Sequence, residues 1–113
     1  MHPNTLVSVY NLASLFHAQG KYSEAEPLYR RALESREETL GPMHPETLQS
    51  LHNLASLFQA QDRLSEAESL YRRALTGREE TLGPTHPDTL QSVNNLGDLL
   101  RAQGKFSEAV KEL

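Results

Sequence analysis

The sequence predicts an all-α protein built as a stack of helix pairs, and two observations lead to this fold class. The 113-residue chain repeats itself every 42 residues, and residues 1–42 and 43–84 are identical at 31 of 42 positions. Within each repeat the apolar residues follow helical spacing, and glycine or proline stands where a helix should stop. A period of this length indicates units that bury their apolar faces on their neighbours. We therefore expect one α-solenoid without strands, divided into repeats 1–42, 43–84 and a shorter third repeat, 85–113.

The first helix of each repeat is predicted to begin at a proline, because that position suits a fixed φ and needs no N–H donor. These prolines are Pro3, Pro45 and Pro87. Apolar residues then recur at helical spacing, from Leu48 to Phe58 in repeat 2, and form a wide stripe. Each first helix should end at a turn residue that tolerates left-handed backbone. These turn residues are Gly20, Asp62 and Gly104.

The second helix is predicted to begin at a serine that is followed three residues later by glutamate, the spacing of a capping box. The matching pairs are Ser23 with Glu26 and Ser65 with Glu68. A glycine–proline pair at 41–42 and at 83–84 should stop these helices. An exposed ion pair is also expected on each second helix, since a glutamate stands four residues before an arginine. These ion pairs are Glu26 with Arg30 and Glu68 with Arg72.

The pattern of small and large residues resembles that of the tetratricopeptide repeat family. The residues that carry this resemblance are Leu-Ala at 12–13 and 54–55, Phe16, Phe58, Gly20, Tyr22, Ala25, Ala67, Tyr29, Tyr71, Ala32 and Ala74. The 42-residue period, with His-Pro-Glu-Thr-Leu at 44–48, is similar to the kinesin light chain type. The resemblance covers essentially the whole chain. It implies a right-handed solenoid of helix-turn-helix repeats that serves as a protein-interaction module, with a concave groove lined by the first helices.

The positions that differ between copies form one line along the first helices. Four such positions are spaced 3, 4 and 3 residues apart, which places them on one helix face. By the resemblance, this line is a peptide-binding groove; the alternative is sequence drift on an unused solvent face. The candidate binding residues are the four positions of each repeat and the asparagine beside them: Val7, Tyr10, Asn11, Ser14, His17, Gln49, His52, Asn53, Ser56, Gln59, Gln91, Asn94, Asn95, Asp98 and Arg101.

Asn11, Asn53 and Asn95 are the same in all three copies. An asparagine side chain offers both donors and an acceptor, so a row of them can pair with the backbone of an extended peptide. The same side chain can instead bond to the neighbouring repeat and hold the stack in register. Both roles are compatible with the sequence.

Composition and charge exclude several classes of function. The net charge of −4, from 15 acidic and 11 basic residues, argues against a protein that binds duplex nucleic acid by neutralising phosphates. No cysteine is available for disulfides or thiolate metal sites, and no apolar run approaches the roughly 20 residues of a membrane span. The N-terminus lacks a basic-then-apolar signal pattern. We therefore expect a cytoplasmic protein with no cofactor, no nucleic-acid partner and no membrane partner.

The histidines that open the repeats invite a metal-binding interpretation, which their spacing argues against. His2, His44 and His86 stand 42 residues apart in equivalent loops, whereas the ligands of one metal ion must converge within a few ångströms. A role at the start of the helix or in packing of the loop is expected instead. No set of serine, histidine and carboxylate residues suggests catalysis, and we expect no enzymatic activity.

The sequence thus predicts a module that binds a peptide segment of a partner protein. Two alternatives stay open: a structural or self-assembling repeat element, and the sensor array of a larger nucleotide-switch receptor of the NB-ARC or STAND kind. Repeat arrays usually need terminal units with a polar outer face, and none is evident here. We therefore also expect self-association through uncapped ends. The apolar residues expected at these ends are Leu6, Val9 and Phe16 in repeat 1, and Phe106, Ala109, Val110 and Leu113 in repeat 3.

Overall fold

Five α-helices follow one another along the chain. The computed structural model describes residues 3–104, and from Leu6 onward their side chains as well. The helices are α1 (Pro3–Ala18), α2 (Tyr22–Leu40), α3 (Pro45–Ala60), α4 (Leu64–Leu82) and α5 (Pro87–Ala102), with no strand within the described residues. The main contacts between helices join each one to the next along the chain. The expected all-α repeat fold is confirmed. By the repeat pattern the sequence also predicts a partial sixth helix after Gly104, and those residues lie outside the described part of the chain.

The first helices begin and end where the sequence predicts, and the turns after α1 and α3 are Schellman motifs. After α1, the Lys21 N–H donates to the Phe16 carbonyl at 2.8 Å and the Gly20 N–H to the His17 carbonyl at 3.0 Å. Gly20 has a φ of 77°, the left-handed backbone that this motif requires. Asp62 takes the same place after α3 with a φ of 62°. A short polar side chain can occupy this conformation, so the turn is kept without glycine.

The predicted capping boxes are wrong. The residue before α2 is Lys21 and the residue before α4 is Arg63, and neither side chain caps its helix. The Lys21 carbonyl accepts the first helical bond from the Ala25 N–H at 3.1 Å, so that α2 begins one residue before Ser23. Because the Schellman turn leads directly into the next helix, the serine is already helical and cannot act as the cap. Glu26 is left free to form ion pairs instead.

Histidine caps the N-terminus of two first helices. The His44 Nδ1 accepts a hydrogen bond from the Glu46 N–H, and the His86 Nδ1 accepts one from the Asp88 N–H, both at 3.1 Å. Each histidine thereby satisfies one of the backbone donors that a helix start leaves without a partner. The expected role of these histidines at the helix start is confirmed; His2 lies outside the described residues.

A leucine-rich core runs between the helices. Its fully buried large side chains come mainly from α3 and α5, and include Leu48, Leu51, Leu54, Leu57, Leu96, Leu99 and Leu100. Ala25 and Ala67 of the second helices are fully buried in the same core. Leu48 packs so closely on Gly77 of α4 that a Cβ there would lie 2.5 Å from its Cδ2. This close approach explains a glycine inside a helix, where it costs about 1 kcal/mol relative to alanine.

An ion-pair cluster connects repeats 1 and 2 on the side of the second helices. Glu26 accepts hydrogen bonds from Arg30 at 2.9 Å and from Arg63 of the next repeat at 2.6 Å. The Arg63 guanidinium also pairs with Glu66 at 2.7 Å and lies 4.2 Å from the centroid of the Phe58 ring. Stacking on the ring and bidentate pairing suit a planar guanidinium better than an ammonium. The expected pairs of Glu26 with Arg30 and of Glu68 with Arg72 are both present.

We predict that replacing Ala67 with leucine will lower the free energy of unfolding by about 1–3 kcal/mol, because the extra methyl groups have no room in a fully buried site. Urea denaturation followed by circular dichroism measures this change. Ala60, at the exposed end of α3, provides the matched control. An equal loss of stability in Ala60→Leu and Ala67→Leu would show that core packing at position 67 is not the cause.

We predict that His44→Ala will lower the free energy of unfolding by about 1 kcal/mol through loss of the helix cap. His44→Asp is the matched control, because an aspartate oxygen accepts the same backbone hydrogen bond and should retain most of the stability. Thermal and urea denaturation at pH 8 compare the two variants. If the alanine and aspartate variants are equally destabilised, the capping bond does not account for the effect.

Candidate functional site

The first helices of neighbouring repeats are joined by one hydrogen bond that recurs at the repeat period. The Asn53 Nδ2 donates to the Tyr10 hydroxyl at 2.9 Å, and the Asn95 Nδ2 lies 3.1 Å from the His52 Nδ1. Both bonds span 43 residues, one more than the period, because each asparagine reaches the residue one position earlier in the preceding repeat. We call this contact the amide joint. Asn53 and Asn95 therefore hold the stack together, as one of the two sequence interpretations proposed.

The amide joint continues into a hydrogen-bonded network that crosses the second and third repeats. The Gln49 Nε2 donates to the Asn53 Oδ1 at 3.1 Å, and the Gln49 Oε1 accepts from the Arg78 Nη2 at 3.0 Å. The other guanidinium nitrogen, Nη1, donates to the Ser92 hydroxyl at 2.9 Å and to the Asp88 carbonyl at 3.2 Å. The amide oxygen of Asn53 and the whole Gln49 amide are thus engaged within the protein. The network orients these side chains before any ligand arrives.

Arg36 and Arg78 are the residues near the site that the sequence interpretation missed. Arg78 is buried, and its hydrogen-bond partners within the described chain are neutral oxygens rather than carboxylates. Burial therefore lowers its pKa, and the nearby Asp88 partly opposes this effect. Arg36 repeats the contact one repeat earlier, donating to the Ser50 hydroxyl at 2.7 Å and lying 5.4 Å from the Tyr10 ring centroid. The presence of arginine at this position in both full repeats is the sequence signal that could have found them.

An aromatic cluster lies under the first-repeat part of the candidate site. The Tyr29 ring of α2 meets the Tyr10 and His17 rings edge-on, with centroid separations of 6.2 and 6.0 Å. The Tyr29 hydroxyl also lies 3.3 Å from the His17 Nδ1 and 3.4 Å from the Ser14 hydroxyl. Tyr22 adds a second edge contact to His17, with centroids 5.7 Å apart. The buried Tyr29 thus contacts three candidate residues of repeat 1, Tyr10, Ser14 and His17, and fixes the orientation of their side chains.

The second and third repeats present more polar side chains. In repeat 2 the Tyr71 hydroxyl, equivalent to Tyr29, donates to the Gln59 Oε1 at 3.0 Å. In repeat 3 Asp98 and Arg101 form an exposed ion pair at 2.6 Å. The candidate row consequently changes along the stack, from aromatic and apolar in repeat 1 through neutral amides in repeat 2 to a charged pair in repeat 3.

The fifteen candidate residues divide into exposed and half-buried sets. The exposed ones are Val7, Asn11, Gln91, Asn94, Asp98 and Arg101. The half-buried ones are Tyr10, Ser14, His17, Gln49, His52, Asn53, Ser56, Gln59 and Asn95. Hydrogen bonds bring Tyr10, Gln49 and Asn53 together, and separately His52 with Asn95. The side chains that are exposed to a ligand thus lie in repeats 1 and 3. The candidate residues of repeat 2 are half-buried polar side chains, which form the base of the site.

Two histidines of this row have lowered pKa values. Burial, and secondarily the positive charge of Arg78, holds the pKa of His52 below its ordinary 6.5. Burial alone lowers the pKa of His17. A neutral His52 can accept the Asn95 hydrogen bond at Nδ1, whereas the doubly protonated ring has no acceptor. Protonation of His52 therefore removes the acceptor on which the second amide joint depends.

We predict that the chain loses stability as the pH falls below about 6.5. The unfolded chain binds protons at these histidines near that pH and the folded chain only at lower pH, so acid favours the unfolded state. The variant His52→Tyr places a tyrosine hydroxyl, the acceptor of the first joint, at position 52, and it should reduce this pH dependence. The variant His17→Gln introduces the residue that repeat 2 has at this position, and it should reduce the pH dependence further. Urea denaturation from pH 8 to pH 5 measures the slope. An unchanged slope in His52→Tyr would contradict the assignment.

Among the helices of residues 3–104, none combines the length and apolar character that crossing a lipid bilayer requires. Over the same residues, no three or more His, Cys, Asp or Glu side chains come together in a way that could hold a metal ion.

Comparison with known proteins identifies the repeat. The sequence profile of the tetratricopeptide repeat matches residues 4–80 and 59–113. No curated protein matches the sequence significantly. Among solved structures, a Podosopora anserina protein described as a kinesin light chain with nearly identical TPR-like repeats is 32% identical with a TM-score of 0.85, over 98% of this chain and 53% of its own. BtubC (BKLC) from P. vanneervenii is 27% identical with a TM-score of 0.90, over 99% of this chain and 45% of its own.

This chain therefore spans about half the length of the solved structures that it resembles. Tetratricopeptide repeats generally act as protein-interaction modules and non-catalytic scaffolds. The profile match, the helix pairs and the 42-residue period agree with one another. The chain belongs to the tetratricopeptide repeat family, and its repeats are of the kinesin light chain-like type.

Proposed function

We propose that the chain binds a peptide segment of a partner protein along the row of candidate residues on α1, α3 and α5. The observation that carries this proposal is the contrast between fixed and variable side chains on these helices. The leucines and the asparagines beside the row are constant and, in repeats 2 and 3, serve mainly the core and the joints. Every position of the row, by contrast, changes in at least one of the three repeats. A surface that only maintained the stack would need no such variation.

The chemistry of the row defines the kind of peptide that fits it. The apolar Val7 and the aromatic cluster beneath Tyr10 favour an apolar or aromatic side chain at the repeat 1 end. Gln91 and Asn94 offer exposed amides that can pair with the backbone of an extended segment at the other end. Asp98 and Arg101 neutralise one another there. We therefore expect a segment with an apolar anchor and a polar remainder.

The absence of cysteine bears on the cellular location of the chain. A chain without cysteine suits a reducing compartment, and we propose the cytoplasm.

A self-assembling repeat element and the sensor array of a nucleotide-switch receptor have the same fold as a peptide-binding module. The sequence that flanks this array in a longer protein would separate them, because a nucleotide-binding domain beside the repeats would indicate the receptor.

We predict that a random peptide library panned on the chain will yield ligands that bind through this row. Val7→Asp combined with Asp98→Ala should weaken their binding at least tenfold, because both exposed positions lie on the row and outside the amide joints. Fluorescence anisotropy of a labelled selected peptide measures the affinity.

Arg31→Ala is the matched control, since Arg31 is exposed on a second helix, away from the row. This variant should bind as the original chain does, and circular dichroism should show equal helicity in all three proteins. Loss of binding in Arg31→Ala with retention in the double variant would place the ligand on the second helices and contradict the proposal.

A further inference from the structure

A cavity of about 350 Å³ opens between α4 and the loop that joins α2 to α3. Its floor is formed by Leu48 and Leu51 of α3 and by Gly77 of α4, and the loop contributes Pro42 and Met43. A space of this size, with an apolar lining and few charged groups, is typical of a small-molecule site. We call this space the loop cavity; the residues that line it lie outside the row of candidate peptide-binding residues.

The differences between the later parts of the two second helices fall on the loop cavity. Residues 28–42 and 70–84 are identical except at two positions, and both of these line the cavity. The exchanges are Thr76 in place of Glu34 and Gly77 in place of Ser35. A Cβ at position 77 would lie 2.5 Å from the Leu48 Cδ2, so glycine allows Leu48 to pack against α4 at the floor. Threonine is shorter than glutamate, so the other exchange leaves room at the rim.

Two arginines stand beside the position where the glutamate is replaced. Arg72 and Arg73 precede Thr76 by four and three residues, so the three side chains share one side of α4, and all of them line the loop cavity. Arg72 forms an ion pair with Glu68 at 3.0 Å. In repeat 1 the same register carries two arginines followed by Glu34. Repeat 2 thus keeps both cationic groups but has no carboxylate at this position.

Arg73 is the cationic group of the rim that can turn to a ligand. Its side chain is exposed, and its contact with Glu37 of α2, at 3.9 Å, is longer than a hydrogen bond. Glu80 also lines the cavity, four residues beyond Thr76 and about 6 Å further along the helix axis. This carboxylate repels a second negative charge on a ligand. The rim therefore favours a ligand with one negative charge over a phosphate or a dicarboxylate.

We propose that the loop cavity binds a small carboxylic acid with an apolar body. The carboxylate pairs with Arg73, whose guanidinium can donate two parallel hydrogen bonds to it, and the apolar body lies against Leu48 and Leu51. The ligand thus supplies the negative charge that Glu34 supplies at the same register of repeat 1. Removal of its apolar surface from water adds to the affinity. This site is separate from the row and does not depend on peptide binding there.

Repeat 1 has the same apolar register but not the two exchanges that shape the cavity. The counterparts of the two floor leucines are Leu6 and Val9. The sequence predicts that Leu6, Val9 and Phe16 lack a neighbour; this is wrong for Val9, which is buried because α2 packs against α1, and the other two are half-buried. The residues expected at the other end of the array, from Phe106 to Leu113, lie outside the described part of the chain. The site is therefore assigned to repeat 2.

Titration of the isotope-labelled chain with phenylacetate, followed by amide chemical shifts in NMR spectra, tests the site. Phenylacetate joins one carboxylate to an apolar ring, and phenylacetamide has nearly the same shape without the charge. The acid should shift the amide resonances of Thr76 and Gly77 in a saturable manner, with the millimolar affinity expected of so small a ligand. The amide should bind about tenfold more weakly, because it lacks the charge-assisted hydrogen bonds. No saturable shift at these residues, or equal binding of the amide, would overturn the proposal.

Three variants locate the binding of phenylacetate. Thr76→Glu places the repeat 1 carboxylate beside the arginines, where it competes with the ligand, and Arg73→Gln removes the cation; each should weaken binding about tenfold. Thr39→Glu is the matched control, because it makes the same exchange at an exposed threonine of α2 outside the cavity, and it should bind as the original chain does. Circular dichroism checks that all variants are folded. Equal weakening by Thr39→Glu, or unchanged affinity in both Thr76→Glu and Arg73→Gln, would contradict the assignment.

Discussion

The structure depends on one constraint: a helix pair of this sequence cannot bury all of its own leucines. Leu54 and Leu57 are covered because repeat 1 precedes them, while Leu12 and Leu15, with the same side chains at the same register, are left half in solvent. The contribution is large, since full burial of a leucine side chain is worth about 1.5–3 kcal/mol. Stability in this chain is consequently a property of neighbouring repeats rather than of any one repeat.

Apolar burial alone does not fix how one repeat sits on the next, because it is not directional. The amide joint supplies the missing direction. A hydrogen bond from Asn53 to Tyr10 needs donor and acceptor within narrow limits of distance and angle. The joint accepts either a hydroxyl or an imidazole at the receiving position, as Tyr10 and His52 show. The amide joint can therefore hold neighbouring repeats together while the side chains on the surface beside it change.

The joints also divide the candidate site into framework and surface. Asn53 and Gln49 are engaged by one another and by Tyr10 and Arg78, so they act as a preorganised floor. A peptide that displaced them would leave buried polar groups unpaired, at a cost of about 1–3 kcal/mol per group. Variation at exposed positions such as Val7 and Asp98 alters the surface without that cost. This separation lets a repeat protein change its ligand without losing its fold.

The sequence by itself determined the helices, their order and the family, because these follow from short-range features. Proline at the helix start, a left-handed residue after the first helix and apolar spacing each act within a few residues, and all appear as expected. The same short-range reasoning gave the wrong helix start at Ser23, because the preceding turn leads directly into the helix at Tyr22. Only the tertiary structure decided that Asn53 reaches Tyr10 and that Arg78 is buried among neutral oxygens. It also decided that Leu12 and Leu15 lack the cover that Leu54 and Leu57 have. These outcomes depend on how close residues from different helices come to one another. The sequence pattern gives the repeat period and the helix face on which a residue lies, but it does not give the distances between side chains of different helices.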